Sequence, residues 1–244
     1  MMKDLKRPDS ENQSAFSIAK PGYYFIIASV IATAFFTLVG VASVAIAGLA
    51  VTVFICYFFR DPDRVVPMEE GAVVSPADGR VIIAGPVDES PFFEGRSIKI
   101  SIFMSVFNVH VNRIPHEGRV LKISYFPGKF FSANLDKASK ENEHNAVFIE
   151  TDKGKKICMV QIAGLIARRI ICRLQEGDVV SRGDRFGIIC FGSRLDVYLQ
   201  ADTKICVQVG NRVKAGETIV GYLKIDGLVK SPSSGRGRVS PGLG

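Results

Sequence analysis

The sequence predicts a mainly β fold of the α+β class, in which a compact barrel or sandwich follows an N-terminal helical hairpin. Two observations support this prediction. The 244-residue chain carries no charged residue from Tyr23 to Phe59. From Gly71 onward, short stretches of alternating apolar and polar residues are separated by turn-forming Gly, Pro and Asp, which is typical of short strands. We therefore divide the chain into a flexible N-terminal tail (1–21), a hydrophobic segment (22–59), a β-rich domain (60–230) and a disordered C-terminal tail (231–244).

The charge-free run is too long for one ordinary helix. As a straight helix it would extend on the order of 55 Å at about 1.5 Å per residue, whereas a bilayer core is only ~30 Å thick. Two short helices that meet near Gly40 fit better, although no polar turn marks the bend. A cleaved signal peptide is a poor alternative, because its apolar core is only about 7–15 residues long. We expect a membrane-associated segment, as a hairpin in preference to a single span.

Basic residues lie on both sides of this run and bear on its orientation. They are Lys3, Lys6, Arg7 and Lys20 before the run, and Arg60 and Arg64 after it. Basic residues at both ends are what a hairpin with both ends in the cytoplasm would carry. We therefore expect the protein at the inner cell membrane, with its β-rich domain on the cytoplasmic face.

The composition narrows the classes of partner. Lys and Arg number 31 against 24 Asp and Glu, a formal net charge of +7, which suits an anionic partner. No nucleic-acid-binding motif accompanies this charge, so an anionic membrane is the better candidate and no nucleic acid is expected. The five cysteines form no C-x-x-C pair and the three histidines no H-x-x-x-H pair. We therefore expect neither a disulfide framework nor a metal site.

The β-rich domain consists of several short alternating stretches. "GAVVSPADGRVIIAG" predicts two strands around the turn Pro76–Gly79, and 104–115 is predicted to be a strand that contains His110. "NAVFIETDKGKKICMVQIAG" predicts a hairpin across Asp152–Gly154. "GRVLKISYF", "DRFGIICF" and "LDVYLQ" are further predicted strands. Only 129–144 has helical or irregular character.

A short repeat indicates a particular kind of barrel. "GDVVSRG" at 177–183 and "GNRVKAG" at 210–216 share the pattern G-x-x-V-x-x-G, and an apolar strand follows each of them. The glycines permit tight turns, and the central valine is expected to point inward. Paired units of this kind resemble the half-barrels of biotinyl and lipoyl carrier domains, although no modifiable lysine stands at a hairpin tip. The expected fold therefore contains lipoyl-like half-barrel turns.

The pair Gly192–Ser193 lies between the two repeat units and is the only Gly-Ser pair in the chain. The simplest interpretation is a turn or a bulge, because glycine weakens a strand. Alternatively, the peptide bond itself is reactive. The serine hydroxyl attacks the preceding carbonyl, an ester replaces the amide, and β-elimination followed by hydrolysis leaves a pyruvoyl group and ammonia. This chemistry needs a base for the hydroxyl proton and donors for the oxyanion.

Two further residues could serve that chemistry. His110 lies in an otherwise apolar stretch, where period-two spacing puts Asn108, His110 and Asn112 on one polar face. Asp78 belongs to the "SPADG" turn. Each alone could be an ordinary core histidine or turn aspartate. Together with a serine from another segment, however, they are the components of an activated nucleophile.

Five stretches in this order resemble phosphatidylserine decarboxylases of the short-form branch: "RDPDRVVP", "SPADG", "MSVFNVHVNRIP", "QIAGLIARRI" and "FGSRLDVYL". The resemblance extends from about residue 22 to residue 225. It implies that 60–230 is the catalytic domain and that the proenzyme cleaves itself between Gly192 and Ser193. The resulting β chain (1–192) and α chain (193–244) would form a heterodimer, and a further dimer is compatible with the family.

The resemblance also implies a cofactor and a reaction. The cofactor is a covalent pyruvoyl group derived from Ser193, which forms a Schiff base with the amino group of phosphatidylserine. The conjugated carbonyl acts as the electron sink when CO₂ is lost. Phosphatidylethanolamine is then released, and the reaction as a whole is a step of phospholipid biosynthesis. The substrate would be phosphatidylserine in an anionic membrane.

The resemblance assigns roles to four residues of this chain. Ser193 and Gly192 form the reactive pair, and His110 and Asp78 are their catalytic partners. The longer-form branch has a second histidine three positions after His110, where this chain has Arg113. In that branch the two histidines divide self-processing and decarboxylation, so the share of His110 in each step stays open. Our hypothesis is that His110 acts as processing base with Asp78, and then as acid or base in decarboxylation.

Two other functions stay open from the residues alone. A non-enzymatic, membrane-anchored adaptor is compatible with the turn repeat, although the tip lysine is missing. A pyruvoyl decarboxylase for a soluble amino acid is compatible with Gly192–Ser193 but leaves the apolar run unexplained. Cleavage of the chain would distinguish the adaptor from both enzymes.

Overall fold

The computed structural model describes residues 17–90, 92–129, 141–164, 169–190 and 192–224. The predicted mainly β fold preceded by a helical hairpin is confirmed. The two predicted tails lie wholly or largely outside the described residues, as does most of the stretch 129–144.

The hairpin consists of helix α1 (Gly22–Leu38) and helix α2 (Ala42–Phe58). The bend lies where it was predicted: Gly40 has a φ of +80°, a conformation that glycine adopts without steric cost, so no polar turn is needed. The Ser29 and Thr52 hydroxyls bond each other across the helix pair at 2.7 Å. A Cβ on Gly48 would lie 2.6 Å from Thr33 Oγ1, so a side chain here would force the helices apart. Neither helix, nor any other in the described part of the chain, combines the length and apolarity needed to cross a membrane.

The described residues after the hairpin form fourteen strands. In chain order these are β1 (Ala72–Val74), β2 (Gly79–Val87), β3 (Ser97–Met104), β4 (Val111–Arg113), β5 (Gly118–Phe126), β6 (His144–Glu150), β7 (Lys156–Ala163), β8 (Ile170–Cys172), β9 (Val179–Val180), β10 (Arg185–Ile189), β11 (Ser193–Gln200), β12 (Lys204–Ile205), β13 (Arg212–Val213) and β14 (Ile219–Tyr222).

These strands form three antiparallel sheets. A curled eight-stranded sheet has the order β13-β2-β3-β11-β7-β6-β5-β9, and two smaller sheets have the orders β1-β14-β12 and β4-β10-β8. The main core includes the fully buried side chains of Ile100, Ile102, Met159, Leu195 and Val197. The opposite face of the large sheet is also covered, because Phe92 and Phe93 pack on a second cluster around Tyr198. Strand β11 is therefore central in its sheet and buried on both faces.

Several local predictions are confirmed. Strands β6 and β7 form the expected hairpin, with Gly154 in its turn. In the repeat, the central valines Val180 and Val213 are both buried, and the four glycines that begin and end the two units all have positive φ. Strands β1 and β2 exist on either side of the Pro76–Gly79 turn, but they pair with β14 and β3 instead of with each other.

The prediction of one strand over 104–115 is wrong at its centre. Strand β3 ends at Met104, and a turn over 105–108 separates it from β4, which begins at Val111. The cause is the Asn108 side chain, whose Oδ1 accepts hydrogen bonds from the Ser105 N–H at 2.9 Å and from the Ser105 hydroxyl at 2.8 Å. Asn108, His110 and Asn112 consequently do not share one strand face, and His110 lies just before β4.

Candidate active site

Ser193 is the first residue of β11 and is completely buried. It pairs with Met104 of β3 on one side and with Ala163 of β7 on the other. Its hydroxyl lies 4.0 Å from the Met104 sulfur, a weak acceptor. The sheet therefore fixes the backbone of Ser193 firmly, while among the described residues its hydroxyl has no strong hydrogen-bond partner.

Gly192 precedes the strand in the left-handed region, with a φ of +63°. A Cβ built at this position would meet no atom of the described residues within 4 Å, so the demand for glycine comes from the backbone conformation and not from crowding by them. An L-residue in this region costs roughly 1–2 kcal/mol. The predicted scissile bond thus joins an open position, whose left-handed backbone suits glycine without steric cost, to a rigid and buried one.

His110 is buried, and its imidazole packs on the Phe58 ring with centroids 4.2 Å apart. Nδ1 lies 2.9 Å from the Asn108 carbonyl oxygen, which can only accept, so Nδ1 carries the proton. Nε2 is also buried and makes no hydrogen bond to any residue that the structure describes. Burial, together with the nearby Arg60 charge and against the effect of the Asn108 carbonyl, lowers the pKa of His110 to about 4. At neutral pH the residue is an uncharged base with a free lone pair on Nε2.

Asp78 is buried in the turn before β2, and both of its carboxylate oxygens are engaged. Arg64 bonds Oδ2 at 2.9 Å, and the Ala215 N–H donates to Oδ1 at 2.7 Å. Burial raises the pKa of Asp78, while the Ala215 N–H and the Arg64 charge act in the opposite direction. In the described structure Asp78 makes no hydrogen bond to His110 or to Ser193.

The turn that carries Asp78 nevertheless lies against the strand that follows His110. The Arg113 N–H donates to the Pro76 carbonyl at 2.9 Å. The charge of Arg60 lowers the pKa of Asp78 as well as that of His110, so the two groups belong to one electrostatic neighbourhood. The structure therefore brings the predicted residues to one end of the barrel without joining them in a triad.

Arg113 stands where the longer-form branch has its second histidine, and none of its described side-chain hydrogen bonds reaches the reactive pair. Its guanidinium donates to the Gly183 carbonyl at 3.0 Å, to Asp61 at 3.1 Å and to the Pro62 carbonyl at 2.9 Å. These contacts tie the chain after the hairpin to the barrel. Arg113 is thus a structural cation in this fold, and no second base stands in its place.

The segment that follows the hairpin is docked on the site by ion pairs. Asp61 is bonded by Arg113 and, at 2.5 Å, by Arg185, while Arg64 reaches Asp78. Next to them, Phe58 and Phe59 at the end of α2 belong to a small apolar cluster with residues beside His110 and with Cys190. The last turn of the hairpin is therefore part of the walls of the site.

A buried amide network beside Ser193 was missed by the sequence interpretation. Asn112 Nδ2 lies 3.8 Å from the same Met104 sulfur that the Ser193 hydroxyl approaches. The side-chain oxygen Oδ1 of Asn112 accepts a hydrogen bond from Gln161 Nε2 at 2.8 Å. The other polar side-chain atom of Gln161, Oε1, accepts a hydrogen bond from Asn145 Nδ2 at 3.1 Å. The sequence did contain a signal for this network, because Gln161 is the one polar residue in the row of β7 side chains that faces the core. These amides can orient Met104 and supply donors near the reactive pair.

No three His, Cys, Asp or Glu side chains in the described ranges are arranged to hold a metal ion.

Comparison with known proteins places this arrangement in a family. The family model described as phosphatidylserine decarboxylase matches residues 51–221. A phosphatidylserine decarboxylase proenzyme of Syntrophus aciditrophicus (strain SB) is 53% identical over 208 residues, covering 84% of this chain and 96% of the relative. The proenzyme of Desulfotalea psychrophila is 51% identical over 194 residues, covering 78% and 91%, and that of Nitratidesulfovibrio vulgaris is 49% identical over 213 residues, covering 87% and 98%. The matched region contains the Gly192–Ser193 junction and both of its predicted partners, and the chain therefore belongs to the phosphatidylserine decarboxylase family.

Proposed function

We propose that this protein is a proenzyme that cleaves itself between Gly192 and Ser193 and then decarboxylates phosphatidylserine to phosphatidylethanolamine and CO₂. The observation that carries the proposal is the junction itself, where a left-handed glycine precedes a serine held at the start of a central strand. Membership of the family supports the substrate and the reaction.

The residues present fit a pyruvoyl group derived from Ser193. The position is buried and its strand is paired on both sides, so a group formed there would keep its place after the chain is cut. Such a group supplies a conjugated carbonyl that accepts the electrons left when CO₂ departs. The unpartnered Nε2 of His110 and the Asn112–Gln161 amides provide polar atoms at this end of the barrel.

Self-cleavage requires that the Ser193 hydroxyl lose its proton as its oxygen attacks the Gly192 carbonyl carbon. We assign His110 as the base, because its Nε2 is neutral and unbonded, whereas both oxygens of Asp78 already accept hydrogen bonds. A rotation of the Ser193 hydroxyl away from the Met104 sulfur is part of this step. The C–N bond between Gly192 and Ser193 then breaks, so that the Gly192 carbonyl is held as an ester on the Ser193 oxygen and the Ser193 nitrogen becomes a free amine. Elimination removes the Ser193 Cα proton and breaks the bond between the ester oxygen and Cβ, which releases Gly192 as a carboxylate. Addition of water to the resulting dehydroalanine releases ammonia and leaves the pyruvoyl ketone.

Asp78 acts in this scheme as a positioning residue. Its contacts with Arg64 and Ala215 hold the Pro76–Gly79 turn, and the Pro76 carbonyl in turn receives the N–H of Arg113. The strand after His110 is thereby tied to the turn that leads into β2, the strand next to β3 in the large sheet. The same His110 is available as acid or base in decarboxylation once the chain has been cut.

The helical hairpin is the part that we assign to the membrane. Large apolar side chains are exposed along both helices, as at Tyr24, Ile31, Ile46 and Val53. A helix that is apolar on all sides needs an apolar surrounding. The hydroxyls of Ser29, Thr33, Thr37 and Thr52 all make hydrogen bonds within the hairpin, as a hydrocarbon environment demands. We propose a hairpin with both ends at the cytoplasmic face of the cell membrane, where the anionic substrate lies.

Electrophoresis under denaturing conditions and mass spectrometry of the purified protein test the proposal. We expect two chains, with the smaller one beginning at residue 193 and blocked by a pyruvoyl group. Borohydride added with phosphatidylserine should trap the lipid on the smaller chain, and soluble serine should compete poorly. A single intact chain with an unmodified Ser193 would overturn the proposal.

Two variants distinguish the role of Ser193 from the role of His110 in self-cleavage and decarboxylation. Ser193→Ala should remain one chain because no hydroxyl is available. His110→Ala should also remain uncleaved if His110 is the processing base. Two chains without decarboxylase activity in His110→Ala would leave His110 only its role in the second reaction.

A further inference from the structure

The turn over 105–108, between β3 and β4, carries an exposed aromatic side chain next to the candidate active site. Phe107 is 65% exposed, although it lies three residues before the buried His110. Hydrogen bonds from Ser105 to Asn108 hold the turn in shape, and the Asn108 carbonyl accepts from His110 Nδ1. The exposed ring and the candidate base are therefore parts of one rigid turn.

The same turn is bonded to the base of the hairpin. The Phe107 carbonyl accepts hydrogen bonds from Arg60 Nη2 at 2.8 Å and from the Tyr57 hydroxyl at 3.2 Å. The Arg60 guanidinium in turn lies 3.9 Å from the centroid of the Tyr57 ring and bonds the Tyr57 carbonyl. Phe107 is thus fixed at the level at which α2 ends.

The chemistry at this level is that of a membrane interface. Tyr23, Tyr24 and Tyr57 are exposed at the ends of the two helices, and Arg60 packs on the Tyr57 ring. Tyrosine rings and cations at the ends of apolar helices are typical of the headgroup region of a bilayer. A second copy of the chain would cover one side of the hairpin, whereas apolar side chains are exposed all around it. Lipid is therefore the occupant that fits.

We propose that Phe107 inserts into the lipid bilayer beside the base of the hairpin, as a second lipid-contacting element. Its insertion holds the His110 end of the barrel against the membrane surface, where a phosphatidylserine headgroup can reach the reactive pair without leaving the bilayer. The inference rests on the membrane assignment of the proposed function and adds to it a contact made by the catalytic domain itself.

The chain contains no tryptophan, so single-tryptophan variants report on this contact directly. We would compare Phe107→Trp, Leu121→Trp and Ile46→Trp in vesicles of phosphatidylglycerol and phosphatidylethanolamine. Leu121 is a matched exposed apolar residue on β5, 41% exposed. The next residue, Lys122, lies in the same cross-strand row of the large sheet as Lys99. Lys99 is five residues before Met104, so this row is about 17 Å along the strands from the end of the sheet that holds Met104 and Ser193. Ile46 is on α2 and reports on the hairpin.

We expect blue-shifted emission and quenching by brominated lipids for Trp at 107 and at 46, and neither effect for Trp at 121. Quenching at 46 with water-like emission at 107 would overturn the inference and leave the hairpin assignment intact. Absence of quenching at both positions would overturn the inference together with the membrane assignment. Neither result depends on self-cleavage, which electrophoresis of the same samples measures separately.

Activity provides a second test. Phe107→Ala should lower the decarboxylation of phosphatidylserine in vesicles roughly tenfold relative to that of short-chain phosphatidylserine below its micelle-forming concentration. Leu121→Ala should leave this ratio unchanged. An equal loss on both substrates in Phe107→Ala would mean that the turn acts on the chemistry and not on contact with lipid.

Discussion

Asn in place of Asp196 should destabilise the catalytic domain strongly, because this carboxylate neutralises a buried group of cations. Asp196 is in β11 and fully buried, and Arg194 on the same strand face bonds it through Nε at 2.6 Å and Nη2 at 3.1 Å. Lys99 of the neighbouring strand lies 3.2 Å from the same carboxylate. Nη1 of Arg194 already lacks a hydrogen bond within the described ranges.

The expected magnitude follows from the loss of the carboxylate charge. Substitution leaves the buried Arg194 and the half-buried Lys99 without the anion that they share, and breaking a buried ion pair costs about 3–5 kcal/mol. Because asparagine keeps one carbonyl oxygen as an acceptor, we expect the lower end, about 3 kcal/mol, or roughly a hundredfold in the unfolding equilibrium. Asp88 is the matched control, since its ion pair with Arg96 is largely exposed on both sides and is worth less than about 1 kcal/mol.

The assay is urea unfolding in detergent, followed by circular dichroism. Both substitutions are made on a Ser193→Ala background, which we expect to remain a single chain and so to unfold as one unit. If Asp196→Asn shifts the unfolding free energy no more than Asp88→Asn does, the buried cluster does not stabilise β11. A further check replaces Arg194 and Asp196 together by apolar residues, which should cost less than the single substitution.

Three further predictions concern the site. Gly192→Ala should slow self-cleavage roughly tenfold, because the left-handed conformation that places the attacked carbonyl costs an L-residue about 1–2 kcal/mol and is therefore populated less. Gly95→Ala, at an equally open position with a φ of +75°, should not change the rate. Equal cleavage of the two variants on a time-resolved gel would contradict this. The rate of self-cleavage, measured as a function of pH, should be constant from about pH 8 to about pH 5.5 and then fall toward pH 4. The reason is that the pKa of His110 is about 4 and that protonation removes the lone pair of Nε2. A decline already centred near the ordinary histidine pKa of 6.5 would argue against His110 as the base. Arg113→Gln should lower the melting temperature by several degrees, because it removes the hydrogen bonds of the guanidinium to Asp61 and Gly183. Self-cleavage of the folded variant should nevertheless proceed normally. Loss of self-cleavage well below the melting temperature would give Arg113 a chemical role.

Much of the fold follows from local patterns. The charge-free run was too long for one helix, and a single glycine at Gly40 allows the bend without polar residues. The β6–β7 hairpin follows from its Asp-Lys-Gly turn, and the repeat correctly predicted that Val180 and Val213 point inward. Each of these features depends on residues close together in the chain.

The features that were missed depend on distant residues. The apolar alternation continues through Val106, Phe107 and Val109, so only the bond between Asn108 and Ser105 reveals that the strand stops. The types of the site residues could be predicted, but their partners could not. Asp78 is bonded by Arg64 from the segment after the hairpin, a contact that no local spacing indicates.

The pairing of Ser193 with strands on both sides has a consequence for the order of events in the cell. A cut at this junction would create a terminus that already lies in the middle of the large sheet, hydrogen-bonded to β3 and β7 along its length. The C-terminal fragment could leave only by breaking both ladders, so the two pieces would not exchange between molecules. Translation and folding of the whole chain must come first, and a mixture of separately made fragments should not regain activity. Both fragments of each mature molecule would then come from the same precursor chain.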